Sequence, residues 1–181
     1  GATLYSFTHD ARGNALSKNT QDFVFDAANR MSSAEVTAGT GSQVYRYDGL
    51  GRRVQATDPD GKTTFWVYSR AGQVLYASEA RRTRNIAYLY LGNSQVATRT
   101  QAWQPDNTVA VRYQYTDALG SPVADTDASA TQASVNRTNY APYGEALAPA
   151  VVDGTGYTGH VMDAGTGLTY MQQRYFDPTV G

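Results

Sequence analysis

The chain has 181 residues, a formal net charge of −1 and no cysteine. This length fits a single domain, the near-neutral charge argues against a nucleic-acid-binding surface, and the absence of cysteine excludes a disulfide framework and thiol chemistry. Tyrosine occurs 14 times and glycine 17 times, while charged residues make up only 17% of the chain. Because tyrosine favours strands and glycine favours turns, the composition predicts an all-β protein.

A short motif recurs along the first half of the chain. Each copy has aromatic residues at positions i and i+2, then Asp or Ser, and three residues later Gly or Asn. The copies are "FTHDARGNAL", "FVFDAANRMS", "YRYDGLGRRV" and "WVYSRAGQVL", with a weaker fifth copy in "YLYLGNSQVA". In the first copy His9 replaces the second aromatic residue, which predicts a packing role for this histidine.

The physical chemistry of this motif is that of a β-hairpin. Residues at i and i+2 lie on one face of a strand, Asp initiates a turn, and Gly or Asn adopts the left-handed conformation that closes it. The predicted turn residues are Asp10, Gly13, Asp26, Asn29, Asp48, Gly51 and Gly72. One hairpin cannot bury its own apolar face, so the motif predicts an array in which neighbouring hairpins bury it together.

The paired aromatic residues allow two interpretations. They can pack across neighbouring strands on an inner face, or they can form an exposed platform for flat ligands such as sugar rings. We favour packing on the inner face.

Other motifs that could carry chemistry are better explained as turns. "DPDGKT", from Asp58, lacks the Gly at position 6 and the Glu at position 12 that a calcium loop requires. "GTGYTG", from Gly154, precedes glycines that would interrupt a helix, so we predict no dinucleotide site. Two histidines without cysteine cannot supply the four ligands of a structural zinc site. We therefore predict no catalytic, cofactor-binding or metal-binding residues, and we interpret the basic run from Arg81 to Arg84 as a hairpin tip.

The intact run Tyr47-Asp48-Gly49-Leu50-Gly51-Arg52 makes the sequence resemble the RHS/YD-repeat family. Two later elements strengthen the resemblance: "TDALGS" from Thr116 and "YAPYGE" from Tyr140, which stand in the order of the RHS-associated core. "YTGHVMDAGTGLTYMQQRYFDP", from Tyr157, is similar to the closing segment of that core. The resemblance implies repeat-signature residues at Asp10, Gly13, Asp26, Asn29, Tyr47, Asp48, Gly51, Arg52, Tyr68 and Gly72. It implies core-signature residues at Asp117, Leu119, Gly120, Ser121, Tyr140, Pro142, Tyr143, Gly144, Glu145, Gly159, Asp163, Gly167, Leu168, Arg174, Tyr175, Asp177 and Pro178.

The fold implied by this resemblance is a long β-sheet that spirals into a hollow shell, or cocoon. Residues 1–112 would be YD-type repeats, and residues 113–181 a core segment truncated before any self-cleavage site and C-terminal toxin. The expected function is structural: a non-enzymatic wall that encloses or presents a polypeptide cargo in a secreted or cell-surface bacterial protein. Its export signal would lie outside this segment.

The expected partners are the remainder of the parent shell or other copies of the chain, together with the cargo; we expect no nucleic acid and no membrane span. Two alternatives stay open from the sequence. One is a cell-surface adhesion or carbohydrate-binding module that uses exposed tyrosines. The other is an accessory role in proteolysis, in which Asp177 helps to position a downstream cleavage site.

Overall fold

A computed structural model of the chain describes residues 4–37, 39–129, 131–148 and 153–181. Its main element is a 13-stranded antiparallel sheet in which every strand pairs with its neighbours in sequence. The strands are β1 (Phe7–His9), β2 (Ala15–Lys18), β3 (Gln21–Phe25), β4 (Met31–Glu35), β5 (Ser42–Tyr47), β6 (Arg53–Thr57), β7 (Thr63–Tyr68), β8 (Val74–Glu79), β9 (Arg84–Leu91), β10 (Ser94–Ala102), β11 (Val109–Thr116), β12 (Pro122–Thr126) and β13 (Asn136–Arg137). The predicted all-β hairpin array is confirmed.

Two smaller sheets follow the large one. A hairpin contains β14 (Asn139–Tyr140) and β15 (Ala146–Ala148). A four-stranded antiparallel sheet contains β16 (Gly154–Thr155), β17 (Val161–Asp163), β18 (Leu168–Tyr170) and β19 (Tyr175–Phe176). The helical elements of the described chain are the 3₁₀ turns Gln132–Ser134 and Tyr157–Gly159. None of the described helices is long and apolar enough to cross a membrane.

The repeated motif forms the same hairpin turn in each copy that carries it. In the turn between β5 and β6, the Gly51 N–H donates to the Asp48 carbonyl at 3.0 Å, and the Asp48 N–H donates to the Arg52 carbonyl at 2.9 Å. Gly51 has φ +80°, and the strand register shifts by one residue beside Tyr47. A tight turn closed by a left-handed residue next to a bulge produces this geometry.

The same pair of backbone hydrogen bonds recurs in the other three clear copies of the motif and at further turns, whereas the weaker fifth copy pairs Leu91 with Ser94 across a shorter turn. The other turns of this kind begin at Asp10, Asp26, Ser69 and Asp117, and they close at Gly13, Asn29, Gly72 and Gly120. The turn from Asp58 to Gly61, between β6 and β7, also has these bonds. Asp or Ser thus begins each of these turns, and Gly or Asn closes it with a positive φ.

Two glycines provide a matched test of this turn geometry. Gly13 and Gly144 have nearly the same dihedral angle, φ +86° and +83°. A Cβ atom at residue 13 would meet nothing within 4 Å, whereas one at residue 144 would overlap the ring of Tyr157. We expect Gly13→Ala to cost about 1–2 kcal/mol of stability, the penalty of a left-handed non-glycine residue, and Gly144→Ala to cost clearly more. Urea unfolding of both variants measures the difference; equal losses would contradict the contact with Tyr157.

One face of the large sheet carries the paired aromatic residues and is buried. The first aromatics of the second to fifth copies, Phe23, Tyr45, Trp66 and Tyr88, are at most 7% exposed. In three copies the residue directly opposite on the next strand is a buried alanine: Ala34, Ala56 or Ala77. Large and small side chains therefore alternate across neighbouring strands and fill the inner face. This confirms the packing interpretation for these copies.

The first copy differs from the others. Phe7 is 39% exposed and His9 is exposed as well. The expectation that His9 packs like the aromatic residues of other copies is therefore wrong in this structure. The physical reason is the absence of a covering element among the described residues over β1.

The four-stranded sheet covers the inner face of the other copies. The four-stranded sheet crosses the large sheet from the fifth copy of the motif back toward the first. Gly154 lies beside Tyr88, Asp163 lies beside Arg53, and Tyr175 stacks on Tyr45. The predicted division of the chain at residue 113 falls inside β11 and stays a prediction.

Candidate functional site

Arg53, at the start of β6, lies fully buried between the two sheets. The preceding Arg52 turns the other way: its Nε donates to Asp48 at 2.9 Å within the hairpin turn. The bulge at this turn places two consecutive arginines in different environments. The guanidinium carbon of Arg53 lies over four aromatic rings: Trp66 at 4.6 Å, Tyr170 at 4.7 Å, Tyr45 at 5.0 Å and Tyr175 at 5.6 Å.

The charge partner of Arg53 is Asp163, which lies where β17 enters its turn and is 3% exposed. The two arginine nitrogens Nη1 and Nη2 donate to the two carboxylate oxygens, the Nη2–Oδ1 bond being 2.9 Å long. The backbone N–H of Arg53 donates to the Tyr170 hydroxyl at 2.6 Å. This bidentate geometry is the arrangement in which an arginine binds a carboxylate most strongly.

The site is buried and electrostatically unusual. Within the described chain, the Arg53 Nε is buried without a hydrogen-bond partner, and the surrounding rings offer it cation–π attraction instead. Burial raises the pKa of Asp163, and the guanidinium of Arg53 opposes that rise. Burial also raises the pKa of the neighbouring Tyr45 and Tyr175 hydroxyls well above their usual range.

This arrangement joins the two sheets, and its opposite charges neutralise each other. A buried ion pair contributes little net stability compared with apolar packing, but it strongly disfavours any arrangement that separates its members. We interpret the pair as the contact that fixes where the four-stranded sheet crosses the large one. Asp163 was expected as a core residue from the resemblance, whereas Arg53 was not among the predicted site residues.

The middle core-signature residues link β12 to the 3₁₀ turn at Tyr157–Gly159. The fully buried Ser121 donates its N–H to Asp117 at 2.8 Å, and its hydroxyl accepts the Thr158 N–H at 3.0 Å. Tyr140 donates to the Pro122 carbonyl at 3.0 Å and packs against the Tyr157 ring. Leu119 and Tyr143 are exposed. The Gly144 N–H donates to the Ala141 carbonyl and the Ala141 N–H donates to the Glu145 carbonyl, both at 2.8 Å, and these two bonds close the turn between β14 and β15.

The closing core-signature residues are placed by two different contacts. Tyr175 packs beside the Arg53 site, whereas Asp177 pairs with Lys18 on β2 at 2.5 Å. The other oxygen of Asp177 accepts hydrogen bonds from the N–H and the hydroxyl of Thr179, at 2.9 and 2.6 Å. Both carboxylate oxygens thus have structural partners. A role for Asp177 in proteolysis stays untested, and these contacts do not favour it.

The basic run from Arg81 to Arg84 forms the hairpin tip between β8 and β9, where the sequence placed it. Acidic residues surround it. Arg82 lies 3.2 Å from Asp153, Arg81 lies 3.5 Å from Asp58, and Arg84 donates to Glu79 at 2.6 Å. These carboxylates neutralise the cluster. Asp153, which directly precedes β16, also links the hairpin tip to the first strand of the small sheet. The role of Asp153 was missed because it depends on a contact between distant parts of the chain.

Metal and acid–base chemistry find little support in the described part of the chain. No group of three or more His, Cys, Asp or Glu side chains there is placed to hold a metal ion. Burial and the nearby charge of Arg174 lower the pKa of His160, so this half-buried side chain is mainly neutral at pH 7. The first tyrosines of two copies, Tyr45 and Tyr88, are buried on the inner face, which leaves them unavailable as a carbohydrate platform.

The turn aspartates give the chain a predictable pH dependence. Burial tends to raise the pKa of Asp48, but hydrogen bonds from the Arg52 and Leu50 N–H groups outweigh it and hold the pKa below its usual value. The pKa values of Asp10, Asp26 and Asp117 are lowered as well. Because these values lie below that of the unfolded chain, the groups stabilise the fold above pH 3.8, and this contribution is lost as the pH falls through the folded-state values.

Carboxyl-carbon NMR titration checks this expectation directly. The turn aspartates should titrate below 3.8, whereas Asp163, whose pKa is raised, should titrate above it. Turn aspartates that titrated at or above 3.8 would contradict the hydrogen-bonded turn geometry.

A continuous array of antiparallel hairpins, with turns of the Asp-x-x-Gly type and a tyrosine-rich inner face, is the architecture of an RHS/YD-repeat shell, and the chain is a segment of one. The family model for the teneurin YD-shell matches residues 3–181. The chain belongs to this family.

Individual relatives are much longer than this chain. The tRNA3(Ser)-specific nuclease WapA of Bacillus spizizenii is 26% identical over 183 residues, covering 97% of this chain and 8% of that protein. Among solved structures, the Tc holotoxin pore of Photorhabdus luminescens superposes with a TM-score of 0.72 at 18% identity, covering 96% of this chain and 9% of that one. A crystal structure of TcdB2–TccC3 gives 0.70 at 19% identity, with the same coverage. At these identities the structural matches establish the fold alone.

Proposed function

We propose that this chain is one stretch of the wall of a larger hollow shell, and that the shell encloses a polypeptide cargo. The observation that carries the proposal is the open sheet. Its end strands β1 and β13 each have one hydrogen-bonded neighbour among the described residues, so the sheet does not close on itself. Exposed strand edges pair readily with further strands, and a wall that continues in both directions uses them.

The mechanism of such a wall is exclusion. A sheet whose backbone groups are all paired blocks the passage of proteases and shields an enclosed chain from solvent. The buried pair of Arg53 and Asp163 contributes by holding the small sheet across the inner face. We propose a toxic polypeptide as the cargo, in a bacterial protein that is secreted or displayed on the cell surface. The names of the relatives support this class of cargo, since one is a nuclease and others are Tc toxin complexes.

Limited proteolysis of the parent protein tests this function. We expect the cargo to resist proteinase K while the parent is folded, and to be digested after the shell is unfolded in denaturant. The cargo expressed alone serves as the control and should be digested at once. Equal digestion rates for the free cargo and the cargo within the folded parent would refute enclosure.

A further inference from the structure

An open groove of about 640 Å³ lies over β8, β9 and β10 of the large sheet, and we call it the outer groove. Two of the residues that line it, Tyr76 and Ser78, alternate along β8 with Ala77, which is buried on the inner face. Successive side chains of a strand point to opposite faces, so the outer groove lies on the face that the small sheet does not cover. Its volume is within the range of about 300–1,000 Å³ that is common for ligand clefts.

The floor of the outer groove is a row of uncharged polar side chains. Ser78 on β8 pairs with Asn85 on β9, and Asn85 pairs with Gln101 on β10. Directly opposite residues on neighbouring strands have their side chains on the same face, so these three lie side by side. Within the described chain, Arg99 donates to Oε1 of Gln101 at 3.3 Å, which leaves the Nε2 group of Gln101 as a donor for a ligand.

An aromatic side chain lies on each side of this row. Tyr76 precedes Ser78 by two residues on β8, and Trp103 follows Gln101 by two residues, just after β10. Because β8 and β10 are both antiparallel to β9, they run in the same direction, and the two aromatic residues are on opposite sides of the row. The indole Nε1 of Trp103 donates to Oδ1 of Asn85 at 2.9 Å. This bond orients the indole, so less conformational freedom is lost when a ligand packs on the ring.

The chemistry of the lining indicates the class of ligand. None of the described side chains that line the outer groove is charged, and four of them carry carboxamides: Asn85, Gln101, Gln104 and Asn107. A carboxamide both donates and accepts hydrogen bonds, as each hydroxyl group of a sugar does. The two aromatic rings offer apolar faces on which the C–H face of a sugar ring can pack. A phosphate, a nucleotide or an acidic glycan would find no cation in this lining.

A peptide is a poorer match to the same surface. Each of β8, β9 and β10 has a hydrogen-bonded neighbour on both sides. Their backbone groups are therefore already paired, and a peptide cannot add to the sheet here as a further strand. A ligand of the outer groove must bind through side chains alone.

We propose that the outer groove binds a neutral oligosaccharide, with sugar rings packed on Tyr76 and Trp103 and sugar hydroxyls hydrogen-bonded to Asn85 and Gln101. This site differs from the buried tyrosines of the repeated motif, because neither Tyr76 nor Trp103 belongs to any of its copies. Tyr76 is 38% exposed, whereas Tyr45 is only 4% exposed. The proposal does not depend on an enclosed cargo, since the groove is on the opposite face of the sheet from the Arg53 site.

A glycan array followed by calorimetric titration of the full-length protein tests the site. The array carries neutral oligosaccharides of glucose, galactose, mannose and N-acetylglucosamine, together with oligogalacturonates as acidic probes. We expect binding to a neutral oligosaccharide and not to the oligogalacturonates. Trp103→Ala and Tyr76→Ala should each weaken the binding of that oligosaccharide about tenfold or more, as truncation of an aromatic hot spot does. Circular dichroism checks that each variant is folded, and Tyr76→Ala, at an exposed position, keeps the test decisive if Trp103→Ala unfolds.

Phe65→Ala is the matched control. Phe65 is an exposed aromatic residue directly opposite Ser78 on β7, on the same face of the sheet, but it does not line the outer groove. Its replacement should leave the affinity for the oligosaccharide unchanged. Four results would overturn the proposal: no neutral oligosaccharide binds, oligogalacturonates bind as tightly as neutral probes, Tyr76→Ala leaves the affinity unchanged, or Phe65→Ala lowers the affinity as much as Tyr76→Ala does.

Discussion

Replacing Asp163 by alanine is expected to lower the free energy of unfolding by about 3–5 kcal/mol, because removing one member of a buried ion pair leaves the other uncompensated. The remaining charge belongs to Arg53, which is fully buried. An arginine cannot lose its proton in a protein, so the charge stays in place. The four surrounding rings attract the guanidinium but do not replace the carboxylate. Denaturant unfolding followed by tryptophan fluorescence measures the loss, with Trp66 only 4.6 Å from the guanidinium.

Arg52 and Asp48 provide the matched control for this prediction. They form an arginine–aspartate pair in the adjacent turn, but this pair is partly exposed to solvent. Exposed pairs contribute about 0–1 kcal/mol, so Arg52→Ala should lower stability by no more than about 1 kcal/mol. If Arg52→Ala and Asp163→Ala had equal effects, burial would not be the decisive property and the two sheets would not depend on this contact.

Replacing the other member of the pair, in Arg53→Met, should give a loss of folding stability that depends on pH. Burial already raises the pKa of Asp163, and removal of Arg53, which opposes that rise, raises it further. A group whose pKa is higher in the folded chain than in the unfolded chain favours folding at low pH and loses that contribution as the pH rises. The stability deficit of Arg53→Met relative to the natural chain should therefore shrink as the pH is lowered toward 3.8. A deficit that did not change with pH would contradict the buried position of Asp163.

The turns and the inner face could be predicted from the sequence because their causes are local. In the copy around Asp48, a side chain that accepts N–H groups two and four residues later and a left-handed Gly51 are enough to define the hairpin. The aromatic residues at i and i+2 then select the face that becomes buried. Each of these rules operates within about ten residues of sequence.

The site between the sheets could not be predicted in the same way. Arg53 and Asp163 are 110 positions apart, and their contact depends on the path of the small sheet over the large one. The sequence also contains two consecutive arginines, and the bulge beside Tyr47 decides which of them faces inward. Strand alternation alone does not resolve a one-residue shift of register. The resemblance supplied Asp163 as a core residue but not its partner.

Trp66→Ala is the second substitution for which we expect a large effect, about 3–5 kcal/mol for removal of a buried aromatic side chain. The indole faces the guanidinium of Arg53 on one side, and its cross-strand neighbour is the buried Ala77. Alanine at residue 66 would leave a cavity opposite another alanine, in a sheet whose backbone pairing restricts collapse. It would also remove the closest of the four rings around Arg53. Thermal or urea unfolding monitored by circular dichroism measures the loss without depending on the deleted fluorophore.

The adjacent Phe65 is the matched control, since it lies on the same strand and points to the outer face, where it is 51% exposed. Its cross-strand neighbours are the polar residues Gln55 and Ser78. Substitutions at exposed positions of this kind usually change stability by about 0.5 kcal/mol or less, so Phe65→Ala should be nearly neutral. A loss at Phe65 as large as that at Trp66 would contradict the assignment of inner and outer faces, because it would require an equally buried layer on the outer face of the sheet.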